Sequence, residues 1–381
     1  MRNWWNLRTE KFRKTIMVSG FGFLILGAVQ VKMLAQTFVP QDFTPQNPNA
    51  TEQYIDKSTY HISEPDSVRG IYISAAAAGS HLVDGLLNYV VAQKMNAVVI
   101  DTKDWLGRPA FLPKDEELKK YVDKTVVIRD LEWLIKKFHD KGIYVIARNF
   151  VFQDPVMTQL EPTWALARKG GGVWADYKGV KWLDPSNVDI WKYNVRLARE
   201  AHNRGFDEIQ FDYIRFPSDG NLSTIQYKDK DAATPKYVVM KQFFNYLDRN
   251  LHPDIPLSAD LFGMTVWRED DMNIGQRFAD ALPYFDAISP MIYPSHFPDT
   301  FEGYANPAAH PYDIIYKSMI KSREMCEKYN DALCRVRPWL QDFDLGANYG
   351  PAEIKAQIKA VEDAGFNDWL LWNAANKYTA F

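Results

Sequence analysis

The chain has 381 residues and a formal net charge of −3, with 46% hydrophobic and 24% charged residues. These are ordinary values for a soluble globular core, and no basic stripe is present to serve nucleic acid as a partner. Two cysteines, Cys326 and Cys334, cannot form a four-ligand zinc site. They can form one disulfide across a short loop or remain two buried thiols. The seven histidines are scattered without His-x-His or HExxH spacing, so neither a histidine-based metal centre nor a cofactor is expected.

Residues 1–14 carry five Lys/Arg against one Glu, and an apolar run follows from Ile16 to Val31. That pattern predicts a secretory signal peptide or an uncleaved membrane anchor over residues 1–35, with export of everything after it. Residues 36–66, rich in Gln, Pro, Asn, Thr and Ser, read as a linker.

From Arg69 a regular alternation begins. Strands are predicted at 69–74, 97–101, 143–148, 207–212, 255–260, 286–293, 334–343 and 368–373. Helices are predicted between them at 81–95, 128–142, 187–204, 236–251, 274–285, 311–329 and 351–365. Glycines such as Gly142, Gly205 and Gly365 mark helix ends, and Pro351 marks a first turn. Eight strands alternating with seven helices predict an α/β fold, a (β/α)8 barrel over residues 67–381 whose eighth helix is short or absent. An open doubly wound sheet is the alternative, weakened because no GxGxxG turn follows the first strand.

In such a barrel the chemistry lies at the carboxyl ends of the strands. The fourth strand, within DEIQFDYIRFP, ends in Asp212, the fifth in Asp260, and the seventh near Asp342. Three carboxylates at one face suit glycoside cleavage. One ionised group faces a developing oxocarbenium ion, and one protonated group donates to the leaving oxygen. Asp101, Lys103, Arg148, Arg215, Tyr293, His296, Trp372 and Asn373 stand at or near the other strand ends as candidate sugar ligands. Asp207, Asp286 and Asp368 stand at strand starts and are read as turn caps on the opposite, stability face. Trp164, Trp174 and Trp182 in the long 150–186 loop suit a sugar platform or plain packing.

The frames RGIYIS, VVIDTKD, IYVIARNFVFQDP, EIQFDYIRFPSDG, SADLFG, SPMIYPSHF and LLWNAAN resemble a family of bacterial (β/α)8 barrels called DUF4015, a "putative glycoside hydrolase" domain. The resemblance runs over about residues 67–378 and implies distant similarity to the α-amylase superfamily. That superfamily places its nucleophilic Asp after strand four, its acid after strand five and a stabilising Asp after strand seven. The resemblance implies those roles for Asp212, Asp260 and Asp342. There are three departures, one of them that the superfamily's paired His motifs around the sugar are not evident. The superfamily's acid is Glu, and the Arg it carries two residues before the nucleophile is Gln210 here, with Arg215 three residues after. Chitinase-type barrels are similar in the same strand, but their catalytic Glu falls on Ile214.

The expectation is therefore an exported glycosidase of the cell envelope that acts on an extracytoplasmic polysaccharide and meets the membrane through its amino-terminal helix. A non-catalytic carbohydrate-binding barrel is the rival, in which Asp212 and Asp260 would stand far apart or be locked by arginines. A third reading is a hydrolase whose cation is bound by Asp101, Asp212 and Asp260.

Overall fold

The computed structural model describes residues 60–381 apart from 105, 123–125, 229, 232 and 330–333. The predicted signal or anchor, residues 1–35, and the linker as far as residue 59 lie outside the described residues. No helix among the described residues is long and apolar enough to cross a membrane.

Eight parallel strands close into a barrel in chain order. They are β1 (Arg69–Ile73), β2 (Ala97–Asp101), β3 (Tyr144–Phe150), β4 (Glu208–Asp212), β5 (Leu257–Phe262), β6 (Ala287–Met291), β7 (Trp339–Gln341) and β8 (Trp369–Trp372). Closure is made by β1 against β8, with Arg69 opposite Trp369. The open-sheet alternative is thereby overturned. The connecting helices are α1 (Leu82–Ala92), α2 (Leu131–His139), α3 (Val188–Asn203), α4 (Lys236–Leu251), α5 (Phe278–Ala281), α6 (Pro311–Lys328) and α7 (Pro351–Asp363). The fifth is much shorter than the predicted 274–285, because Gly275 takes a positive φ of 82° and Pro283 follows in a 3-10 turn. The seam between β6 and β7 is short. Pro290 and Pro338 lie in it and have no N–H to donate.

The strand pattern divides the core in two. Ile71, Val98, Val145, Ile209, Phe211 and Leu371 face outward into one large cluster with the helices. Tyr72, Val99, Ile146, Trp339 and Leu370 belong to a second, smaller cluster. Parity within each strand puts that second set inside the barrel together with Asp101, Arg148, Gln210 and Asp212.

The floor of the barrel is ionic. Arg337, fully buried, donates to Glu208 at 2.8 and 3.2 Å and to Glu64 at 3.1 Å. Glu64 belongs to the predicted linker, whose last residues thus pack on the floor. Ile62 N–H donates to Asp207 at 2.8 Å. The strand-start carboxylates do act as caps. Asp207 accepts from Val145 N–H, Asp286 from Leu257 N–H and Asp368 from Val68 N–H. Asn96 accepts in the same way from Arg69 N–H. Each residue leads into an even-numbered strand and satisfies an N–H at the start of an odd-numbered neighbour, where no ladder partner exists.

The residues after β8 pack against β1 and α1, where an eighth helix would lie. Tyr378 Oη and Asn376 Nδ2 donate to Tyr72 O at 2.5 and 3.0 Å, and Tyr89 Oη on α1 donates to Thr379 O at 2.7 Å. Cys326, at the end of α6, and Cys334, ahead of β7, are joined as a disulfide.

Candidate active site

Asp212 ends β4 because the chain turns sharply after it. Tyr213 takes a positive φ of 54°, an uncommon state for a bulky residue, and its N–H donates to Asp212 Oδ1 at 2.5 Å. The other carboxylate oxygen accepts from Arg148 Nη2 at 2.5 Å and Nε at 3.1 Å. Arg148 comes from β3, where its register partner is Gln210. A guanidinium thus reaches Asp212 from the adjacent strand.

The same guanidinium reaches two further carboxylates. Its Nη1 donates to Asp101 Oδ1 at 2.8 Å, and its Nε lies 3.7 Å from Asp260 Oδ2. Asp260 Oδ1 accepts from Trp339 Nε1 at 2.7 Å, while Oδ2 has no hydrogen-bond partner among the described residues. Asp101 Oδ2 accepts from Tyr72 Oη at 2.6 Å. Aromatic rings enclose the guanidinium. Its central carbon is 4.3 Å from the Phe150 centroid, 4.7 Å from Trp372 and 5.3 Å from Tyr72. Trp372 in turn stacks on Tyr72 at 4.1 Å.

The electrostatics follow from burial. Desolvation, reinforced by the Asp212 charge, pushes the Asp260 carboxyl well above the usual range, and Arg148 only partly opposes it. Desolvation raises Asp101 to about 6, against Arg148 and the Tyr72 hydroxyl. Arg148 is held protonated by Asp212 and Asp101 despite its own burial. Burial and the nearby Asp260 charge raise the Tyr293 phenol. Three carboxylates around one guanidinium therefore include one, Asp260, that favours the neutral acid.

Of the three catalytic candidates, Asp212 and Asp260 meet and Asp342 does not join them. Both Asp342 oxygens accept from Thr379, Oδ2 from its N–H at 2.9 Å and Oδ1 from its hydroxyl at 2.8 Å. Asp342 fastens the tail, and Asp101 stands as the third carboxylate instead. Lys103 is also displaced from the sugar-ligand role. It is fully buried, with Nζ 2.9 Å from Asp154 Oδ2. Asn373 is spent on the tail, donating to Asp342 O and to Lys377 O and accepting from Ala375 N–H.

Arg148 is the centre of the cluster rather than a wall residue. Arg215 packs over Trp182 and Phe262, its central carbon 4.8 and 4.7 Å from their centroids, and donates to Phe216 O. Trp372 is half-buried, Tyr293 is buried near Asp260, and His296 is exposed at the rim, its ring 5.2 Å from Tyr293. Trp174 and Trp182 are buried packing residues, and Ile214 is fully buried. Sequence reading missed Tyr72 and Trp339 as partners of Asp101 and Asp260. Their inward parity, two residues from Gly70 and Arg337 respectively, was the available signal. Among the described residues no group of His, Cys, Asp or Glu is arranged to hold a metal ion. The positive charge amid the three aspartates is that of Arg148.

The family described as "Putative glycosyl hydrolase domain", DUF4015, matches residues 70–378. The chain belongs to this family. No curated protein matches it. Among solved structures, it is similar to a hypothetical protein from Ruminiclostridium thermocellum, at 32% identity over 50% of this chain and 96% of that one, with a TM-score of 0.45. It is also similar to the glycoside hydrolase domain of PgaB (BpsB) from Bordetella bronchiseptica, at 14% identity over 81% and 95% of the two chains, with a TM-score of 0.59. The glycoside hydrolase domain of PelA from Pseudomonas aeruginosa matches at 10% identity over 82% and 97%, with a TM-score of 0.46. The Bordetella domain supports the barrel fold.

Proposed function

We propose that this protein is an exported glycoside hydrolase that cleaves O-glycosidic bonds of an extracytoplasmic polysaccharide. The observation that carries the reading is the joining of Asp212 and Asp260 at one guanidinium, at the carboxyl-terminal mouth of a barrel of the glycosyl hydrolase family. The two residues stand on adjacent strands, one step beyond the register pair Phe211 and Ala259. Asp212 is the nucleophile or oxocarbenium stabiliser, kept in place by Tyr213 N–H and Arg148. Asp260, favoured as the neutral acid, donates a proton to the leaving oxygen and recovers it from water. Trp372 and Tyr293 line the sugar subsite, with His296 at its rim. Export is supported by the basic and apolar amino-terminal sequence and by the disulfide, since disulfides persist in oxidising compartments.

One observation favours the rival, a carbohydrate-binding barrel: Arg148 holds Asp212 through two nitrogens. Hydrolysis of a panel of envelope and plant polysaccharides by wild type and Asp212→Asn separates the two. The expected result is turnover by wild type and a loss of at least roughly a thousandfold in the variant. Equal turnover by both would remove Asp212 from the chemistry. Binding without turnover by either would favour the binding barrel.

A further inference from the structure

We propose that Asp101 is a positioning residue that competes with Asp212 for the Arg148 guanidinium, and that Tyr72 sets the strength of that competition. The proposal rests on the hydrolase reading and adds a control on the nucleophile. Arg148 divides its N–H groups, Nη1 to Asp101 and Nη2 with Nε to Asp212. The rings of Phe150, Trp372 and Tyr72 surround it, so its charge is shared between carboxylates rather than screened by water. Ionised Asp101 has both oxygens satisfied, one by Arg148 and one by Tyr72.

A proton on Asp101 removes that balance. Two donors, Arg148 N–H and Tyr72 O–H, then face a group that must itself donate, and the pull of Asp101 on the guanidinium is lost. The full charge of Arg148 falls on Asp212, which is held more tightly and becomes a poorer nucleophile. The titratable and charged groups that face Asp101 are few. Tyr72 comes from β1, with the Tyr378 hydroxyl of the tail behind it. Arg148 comes from β3, Asp212 from β4 and Asp260 from β5, and Tyr293 lies beyond them after β6. Lys103, two residues on, is turned away to Asp154. Burial brings Asp101 to about 6, within the range in which an enzyme works.

The sign follows. Turnover is expected to fall as pH drops through about 6. The Tyr72 hydroxyl favours ionised Asp101, so Tyr72→Phe moves this limb to higher pH by roughly one unit. Asp101→Asn, fixed in the neutral form, lacks the limb and turns over roughly tenfold more slowly at neutral pH, with KM little changed.

The test is the pH profile of kcat and KM for the full chain and both variants, on whichever polysaccharide of the panel wild type cleaves. A parallel titration follows the side-chain carboxyls of 13C-labelled aspartate by NMR. The Asp212 signal should shift as Asp101 titrates, and that coupled shift should move upward in Tyr72→Phe. An unmoved limb in Tyr72→Phe, or a wild-type limb retained in Asp101→Asn, would overturn the proposal. Failure of wild type to hydrolyse any polysaccharide would count against the hydrolase reading. An Asp212 signal indifferent to Asp101 would count against the competition itself.

Discussion

Asp342 and Asp101 exchange places between the expectation and the fold, and the reason is side-chain direction. Asp342 follows Gln341, whose amide donates to Phe343 O and whose carbonyl oxygen accepts from Ser295, so the next residue points the opposite way. It meets Thr379 of the tail instead of the barrel mouth. Asp342→Asn is therefore expected to keep turnover within about twofold and to lose roughly 1 kcal/mol of stability, read by urea unfolding. His202 makes a second prediction at this scale. Burial, with the stacked His61 ring 4.2 Å away, lowers it to about 4. The unfolded chain takes up that proton near 6.5 and the folded one does not. Stability is thus fully present above about pH 6.5 and falls as pH drops toward 4, by up to roughly 3 kcal/mol. His252, raised by Asp286 and held also by Asp248, gives the opposite slope. Thermal melts from pH 7 to 4.5 should show the slope flattened in His202→Asn; an unchanged slope would reject the assignment.

At the scale of elements, both ends of the domain are fastened by short segments that carry no regular secondary structure. The strap from His61 to Val68 places Glu64 against Arg337 and Arg335, at 3.1 and 2.6 Å, and ties Val68 N–H to Asp368. The family match begins only at residue 70. A chain starting at residue 69 leaves the buried Arg337 with Glu208 alone and bares the Asp207 side of the floor. It is expected to melt roughly 5–10 °C below a chain starting at residue 60. Equal melting temperatures would show that the strap adds nothing to the barrel. At the other end, Tyr378, Asn376 and Thr379 bind β1, α1 and Asp342, doing with hydrogen bonds what an eighth helix does with apolar burial.

At the scale of the whole molecule, the barrel separates the candidate site from the stabilising floor along its axis. The floor holds compensated charge, in which Arg337 faces Glu208 and Glu64 and the strand-start carboxylates face backbone N–H groups. The mouth holds three aspartates around one guanidinium. Removing either arginine would leave buried carboxylates without a counter-charge, which costs several kcal/mol. For that reason the chemistry is better probed through Asp212, Asp101 and Tyr72 than through Arg148.

The sequence by itself determined the strand count, the alternation with helices and the face on which Asp101, Asp212 and Asp260 lie. These depend on local periodicity and on residues that cannot continue a strand, such as the Asp212 to Pro217 stretch. It also separated the capping carboxylates Asp207, Asp286 and Asp368 from the candidate site, because position along a strand distinguishes floor from mouth. Tertiary structure alone decided which groups meet. That Arg148 of β3 fills the space beside Gln210 of β4, that Tyr72 and Trp339 serve Asp101 and Asp260, and that Asp342 turns to the tail all depend on barrel register and closure. Register and closure join residues from 29 positions apart, as Tyr72 and Asp101 are, to 300, as Arg69 and Trp369 are, a range over which no local pattern in the chain carries information.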